Sequence, residues 1–269
     1  MKCILMNKNT KVLSADYQPS LGVFTDIYDI YNIDFAPIIL KNVYNKEKDL
    51  KIILSNWFKG RGIPLWRDDL DLLLSKLNIS APTELLDKAF GLSLSDQYWI
   101  KPYDSKIEYK DINFFEHDFN DAEFTDATFS NSTETSTKIS LISPNNTTDG
   151  RLKKTWIIEE GKRYLLKGSY KNEVLQPFNE ALASMISSRL GFNHVTYILE
   201  VIKDKVVSKC ECFINENTEL VSAYQILYNN CDKDNAYETY INLLEKHGIK
   251  DARSSLEDMF ILDYIMLNE

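Results

Sequence analysis

The chain has 269 residues, 44% hydrophobic and 26% charged, with a net charge of −9 at pH 7. That length supports one large domain or two modest ones with a real core, and no apolar run reaches the roughly 20 residues that span a bilayer. The opening Met1-Lys2-Cys3-Ile4-Leu5-Met6-Asn7 is too short and too soon polar for a signal peptide, so a cytoplasmic location is expected. Residues 104–135 carry nine acids against two lysines. A chain with its acid in one patch is a poor sole binder of nucleic acid. No direct nucleic-acid binding and no membrane association are expected, while a basic partner is compatible.

In chain order, residues 1–45 read as short strands. Ile27–Tyr31 and Ala36–Leu40 are rich in β-branched and aromatic residues. From Lys46 the period changes: Leu50, Ile53, Leu54 and Trp57 fall at helical spacing, and Gly60-Arg61-Gly62-Ile63-Pro64 stops that helix. Asp68–Leu77 is a second helix, and Ala81-Pro82-Thr83-Glu84 opens a third. Ser93–Trp99 is aromatic and polar without helical period and reads as a loop. Residues 113–130 place Phe114, Phe115, Phe119, Phe124 and Phe129 among acids. They form either a linker pinned by its phenylalanines or a partner-docking segment. Asn131–Thr137 is rich in serine and threonine and reads as a hinge.

Beyond the hinge, Ile139–Ile142 reads as a strand, followed by a polar loop at 143–154. That loop holds Gly150 and has no apolar anchor before Leu152, so it is expected to be mobile. A hairpin follows, with strands at Thr155–Ile158 and Arg163–Lys167 around a Glu159-Glu160-Gly161-Lys162 turn. A helix spans Pro177–Leu190, with Phe178, Leu182, Met185, Ile186 and Leu190 on one stripe. Val195–Ile202 and Val206–Phe213 read as two more strands. Three helices close the chain near 219–229, 236–247 and 254–267. Cys210 and Cys212 alternate onto one face of a strand. A metal would want two further ligands, and none of the three histidines is nearby, so no metal site is expected and buried thiols are. Asp232-Lys233-Asp234-Asn235 lacks the glycine and the closing glutamate of a calcium loop and reads as a solvated turn.

No phosphate-binding glycine motif of the P-loop or dinucleotide type occurs. What does occur, between Thr147 and Glu180, is an ordered set: polar loop, hairpin, strand-end lysine and helix glutamate. Singly each is weak. A strand-end lysine usually snorkels at the surface, and a glutamate in a first helical turn usually answers the helix dipole. In this order they are what a protein-kinase nucleotide site needs, with Lys167 for the α/β-phosphates and Glu180 to hold the lysine.

The region from about Asn145 onward resembles the HipA-like serine/threonine kinase family, the bacterial toxin-type kinases. Thr147–Trp156 is similar to that family's Ser-x-x-Gly-x-x-x-Lys-Thr loop, and Tyr164-Leu165-Leu166-Lys167 to its nucleotide-lysine strand. Asn179-Glu180 with Leu190-Gly191-Phe192 is similar to its helix and following turn, and Phe260–Glu269 to the helix before its catalytic loop.

The resemblance implies an α+β fold. A small N-terminal α+β module (1–110) and an acidic aromatic linker (111–137) precede a kinase-like N-lobe with an antiparallel sheet and one helix (138–215). The first helices of a C-lobe follow (216–269). It further implies ATP with Mg2+, a protein substrate, and an antitoxin or regulatory protein as partner. Gly150 amides would cover the phosphates, backbone groups of Cys212, Phe213 and Ile214 would bind adenine, and Thr147 or Thr148 would stand where the family is autophosphorylated. The family's Asp-Arg-His and Asp-Phe-Gly do not occur in the sequence. Its catalytic and metal-binding residues are expected beyond Glu269, so the 269-residue chain reads as a kinase cut short and silent in transfer. The other reading is a pseudokinase-like binding module.

Overall fold

The computed structural model describes residues 1–45, 49–67, 70–119, 121–130, 142–170 and 175–267. β1 (Lys2–Asn7), β2 (Thr10–Gln18), β3 (Val23–Ile30) and β4 (Tyr98–Pro102) form an antiparallel sheet in the order β3-β2-β1-β4. Successive side chains leave a strand on opposite faces. Cys3 and Leu5 of β1 therefore enter one core with Leu13, Trp57 and Phe58, while Ile4 and Met6 enter another with Leu94, Trp99 and Phe114. A strand covered on both sides carries an unbroken apolar run, and Cys3-Ile4-Leu5-Met6 is one.

Between β3 and β4 lie α1 (Ile38–Lys41), α2 (Leu50–Lys59), α3 (Leu70–Leu77) and α4 (Pro82–Lys88). Asp49 caps α2 by accepting from the Lys51 amide. Leu73, Leu74 and Leu77 of α3 meet Leu85 and Phe124 in a third cluster. Two sequence expectations are corrected here. Ala36–Leu40 is not a strand: Pro37 precedes a helical turn that buries Ile38, Ile39 and Leu40. The stretch read as a loop at 93–99 ends inside β4, whose Tyr98 and Trp99 pair with Asn7 and Met6.

The second sheet contains β5 (Lys154–Glu159), β6 (Lys162–Lys167), β7 (Tyr197–Ile202) and β8 (Lys205–Glu211), antiparallel throughout in the order β5-β6-β8-β7. Both of its hairpins close on two residues with positive φ, Glu160-Gly161 and Lys203-Asp204. That geometry matches the strand twist and fixes the register. α5 (Ala122–Phe129) covers one face, where Phe129 packs on Leu166 and Val207. α6 (Leu175–Leu190) lies against β7 and β8 on the other.

α6 turns Pro177, Ala181, Ser184 and Ser187 inward, while Phe178, Leu182, Met185 and Leu190 are exposed. The expected apolar stripe is thus the outer face, and the small residues let the helix approach the sheet. Of the fifth strand expected at 139–142 only Ile142 is described, in no strand, and the hinge at 131–137 lies outside the described residues.

The acidic segment is packed into the body. Phe114, Phe124 and Phe129 enter three different clusters, one beside the first sheet, one under α3, one on the second sheet. α7 (Ala223–Leu227), α8 (Ala236–Lys246) and α9 (Ala252–Met266) follow β8. Asn42 Nδ2 donates to the carbonyls of Gln225 and Ile226, which ties α7 to the N-terminal region. Among the described residues no helix is long and apolar enough to cross a membrane.

Candidate functional site

The β6 ladder places Lys167 on the face that α6 covers. Its Nζ donates to Glu180 Oε1 at 2.8 Å and to Tyr197 Oη at 2.6 Å, and lies 4.5 Å from the centre of the Tyr197 ring. Ser208, the cross-strand neighbour of Lys167 on β8, donates to the other Glu180 oxygen. Glu180 is therefore gripped by two adjacent strands. Burial pushes the Lys167 ammonium down, but the Glu180 carboxylate and the Tyr197 hydroxyl outweigh it, and the net pKa is raised. Burial also pushes the Tyr197 hydroxyl up to about 12, against the pull of Lys167.

Lys154 stands opposite Lys167 on β5. Its Nζ donates to the Asp149 carbonyl at 2.6 Å. Burial, reinforced by Arg67 and Lys167, lowers it to about 8.

The loop before β5 is held by polar contacts instead of an apolar anchor. A 3-10 turn spans Pro144–Thr147, and the Ser143 hydroxyl accepts from the Asn145 amide. Asn145 Oδ1 accepts from Thr155 Oγ1 and from the Trp156 amide, and its Nδ2 donates to the Trp156 carbonyl, so it imitates a strand at the edge of β5. Thr147 Oγ1 donates to the Leu92 carbonyl at 2.8 Å and Thr148 Oγ1 to the Asn145 carbonyl at 3.2 Å. Arg67 closes the loop from outside. Its Nη1 donates to Thr148 Oγ1 at 2.7 Å, its Nη2 to the Thr148 carbonyl and its Nε to the Gly150 carbonyl at 3.0 Å.

The expected site residues fall into two groups. Lys167 and Glu180 are brought together, with Gly150 next to Lys154 on the same side: any side chain at Gly150 would collide with Lys154 Nζ. Gly150 has φ +94, where an L side chain is strained. Its N–H is already given to Asp149 Oδ1 at 2.6 Å, so the loop offers carbonyls here and withholds the amide. Thr147 and Thr148 are 5% and 4% exposed with both hydroxyls engaged, which closes them to modification in this conformation.

Cys212, Phe213 and Ile214 lie farther along. Cys212 is four positions past Ser208, about 13 Å at strand spacing. The Cys212 amide donates to the Arg163 carbonyl at 2.8 Å and its thiol to the Ile214 carbonyl. Phe213 is exposed.

Sequence reasoning missed Tyr197, Ser208, Lys154 and Arg67. The alternation of β8 could have placed Ser208 beside Lys167 once the strands were paired. Nothing local marks Arg67, whose partners lie 81 and 83 residues away.

A cavity of about 510 Å3 opens between Trp57, Arg61 and Asp96 on one side and Glu219, Tyr224 and Tyr228 on the other. Thr147 and Asp149 reach its wall, so it meets the loop without touching the Lys167–Glu180 pair. Among the described residues no group of three His, Cys, Asp or Glu side chains could hold a metal ion.

No protein-family model matches the chain, and no curated protein matches it. Among solved structures the chain is similar to HipA of Shewanella oneidensis MR-1, solved with HipB and its operator DNA as a toxin–antitoxin system. The two share 14% identity at a TM-score of 0.45, over 84% of this chain and 56% of that one. The chain therefore spans little more than half the length of that protein.

Proposed function

We propose that the chain is the nucleotide-holding part of an ATP-dependent serine/threonine protein kinase of the HipA-like type. In this reading the second sheet with α6 is a kinase-like N-lobe, residues 1–110 a module packed beside it, and α7–α9 the first helices of a C-lobe. The observation that carries it is the Lys167–Glu180 ion pair between the end of β6 and the first turns of α6, fixed by Ser208 and Tyr197. A strand lysine held by a helix carboxylate is how such kinases position nucleotide phosphates.

Lys167 would hold the α/β-phosphates and Glu180 would keep it charged and aimed. Lys154 adds a second cation beside them. ATP fits this cationic face. Mg2+ would come with the nucleotide, held largely by its phosphates. The same resemblance extends the reading to a protein substrate and to an antitoxin or regulatory protein as partner.

The test is titration with a fluorescent ATP analogue. Binding by the 269-residue chain that Lys167→Ala reduces at least about tenfold, as expected for a lost charge-assisted contact, supports the reading. Equal binding by Lys167→Ala overturns it. Binding without phosphoryl transfer to a generic Ser/Thr protein would favour a pseudokinase-like module for residues 1–269.

A further inference from the structure

We infer that Arg67 is a latch: through it the N-terminal module holds the 147–150 loop in a state that withholds the Gly150 amide, and the loop can offer that amide only when Arg67 lets go. The inference deepens the nucleotide reading above and rests on it for the ligand, but the latch itself is a property of the chain alone.

Arg67 sits just before α3 and is 5% exposed. It donates to three oxygens of one loop, the Thr148 hydroxyl and the carbonyls of Thr148 and Gly150, none of them a carboxylate. A buried guanidinium that hydrogen-bonds no carboxylate is costly unless its donors are filled. Here the loop fills them, so cation and loop depend on each other. Burial accordingly lowers the Arg67 pKa to about 10, with Asp149 opposing.

The chemistry of the held state follows from where the loop's polar groups point. Three oxygens of the loop face Arg67. The Asp149 carbonyl faces Lys154, and the Gly150 N–H is closed on Asp149 Oδ1. An anion brought to Lys167 would not receive the Gly150 N–H in this state, because Asp149 Oδ1 already takes it. Covering a phosphate requires the peptide at 149–150 to turn and give up the Asp149 contact. Arg67 opposes that turn by fixing the carbonyls on both sides. Its planar fork is what makes the grip geometric; a lysine would keep the charge and lose the fork. Arg67 is a positioning residue in this scheme and touches no ligand.

The experiment is hydrogen exchange on the full 269-residue chain, comparing wild type with Arg67→Gln and Arg67→Lys. Loss of the latch should speed exchange of amides 146–150 by about tenfold or more in Arg67→Gln. Arg67→Lys should fall between. β6 and α3 should stay at wild-type rates, and tryptic cleavage at Arg151 and Lys153 should rise in step.

If Arg67→Gln fails to fold, Thr148→Val removes one acceptor from the loop side and should give a smaller rise at the same amides. Unchanged exchange at 146–150 in a folded variant overturns the latch, as does a rise spread equally over α3 and β6. Affinity for the ATP analogue should tighten in Arg67→Gln, because less free energy is spent opening the loop. Weaker binding overturns the amide-withholding part. If neither protein binds nucleotide, the exchange result still decides the latch and only the nucleotide reading falls.

Discussion

Lys154 and Lys167 face each other across the β5–β6 ladder, and Glu180 is hydrogen-bonded to Lys167 alone of the two. Burial, with Arg67 and Lys167 beside it, lowers the Lys154 pKa from 10.5 to about 8, and Asp149 and Glu180 only partly oppose this. Below about 8 the folded protein carries a charge its surroundings disfavour. Between that value and 10.5 the unfolded chain binds more protons than the folded one, so this site raises stability as pH rises. Lys154→Met removes the charge. The variant should exceed wild type by up to about 3 kcal/mol near pH 7, with the margin closing toward pH 10. Urea unfolding at the two pH values checks it, and a margin independent of pH would contradict it.

Glu180→Gln keeps the shape of the side chain and removes the counter-charge of Lys167. The raised pKa of Lys167 means the pair stabilises fully below 10.5 and loses its effect as pH climbs through the folded value. Both side chains are partly buried, at 16% and 25% exposed, so truncating one partner should cost about 1–3 kcal/mol at pH 7. Nucleotide affinity should fall with it. A variant as stable as wild type in chemical unfolding would show that solvent screens the pair.

Tyr197→Phe separates the hydroxyl from the ring. The hydroxyl accepts from Lys167, while the ring alone keeps its place beside the ammonium. Loss of one hydrogen bond should cost about 1 kcal/mol, with the cation–π contact retained. Tyr197→Leu loses both and should cost more. Equal unfolding midpoints for the two variants would mean that Tyr197 contributes only its bulk.

These contacts also mark how far the sequence could be read. The hairpin around Glu160-Gly161 was legible because a two-residue turn with glycine between alternating runs leaves little choice of register. Lys167 and Glu180 were legible for the same reason, being tied to the ends of well-marked elements. Ala36–Leu40 misled because a short apolar run has no period, and burial of three successive residues suits a helical turn as well as a strand. The stripe of α6 misled because periodicity gives a face but not its partner; the closer fit of Ala181, Ser184 and Ser187 to the sheet won. Arg67 was invisible because its meaning lies wholly in contacts with a loop far along the chain.

The buried threonines yield the remaining prediction. A phosphate transferred to Thr147 or Thr148 needs the hydroxyl at the surface and in line with the donor. Thr147 instead donates to the Leu92 carbonyl from a position 5% exposed, and Thr148 bridges Arg67 and the Asn145 carbonyl at 4%. Adding about −1.5 to −2 of charge and three oxygens at either position would not fit without moving the loop. Once out, a phosphothreonine at 148 would have Arg151, Lys153 and Lys154 near it in sequence to hold it out. The folded 269-residue chain, treated with a promiscuous Ser/Thr kinase, should therefore leave 147 and 148 unmodified while exposed hydroxyls react. Arg67→Gln should become a substrate at Thr148. Mapping by mass spectrometry decides: full modification of Thr148 in the wild-type fold would mean the loop opens readily without losing Arg67, and that its burial is no barrier.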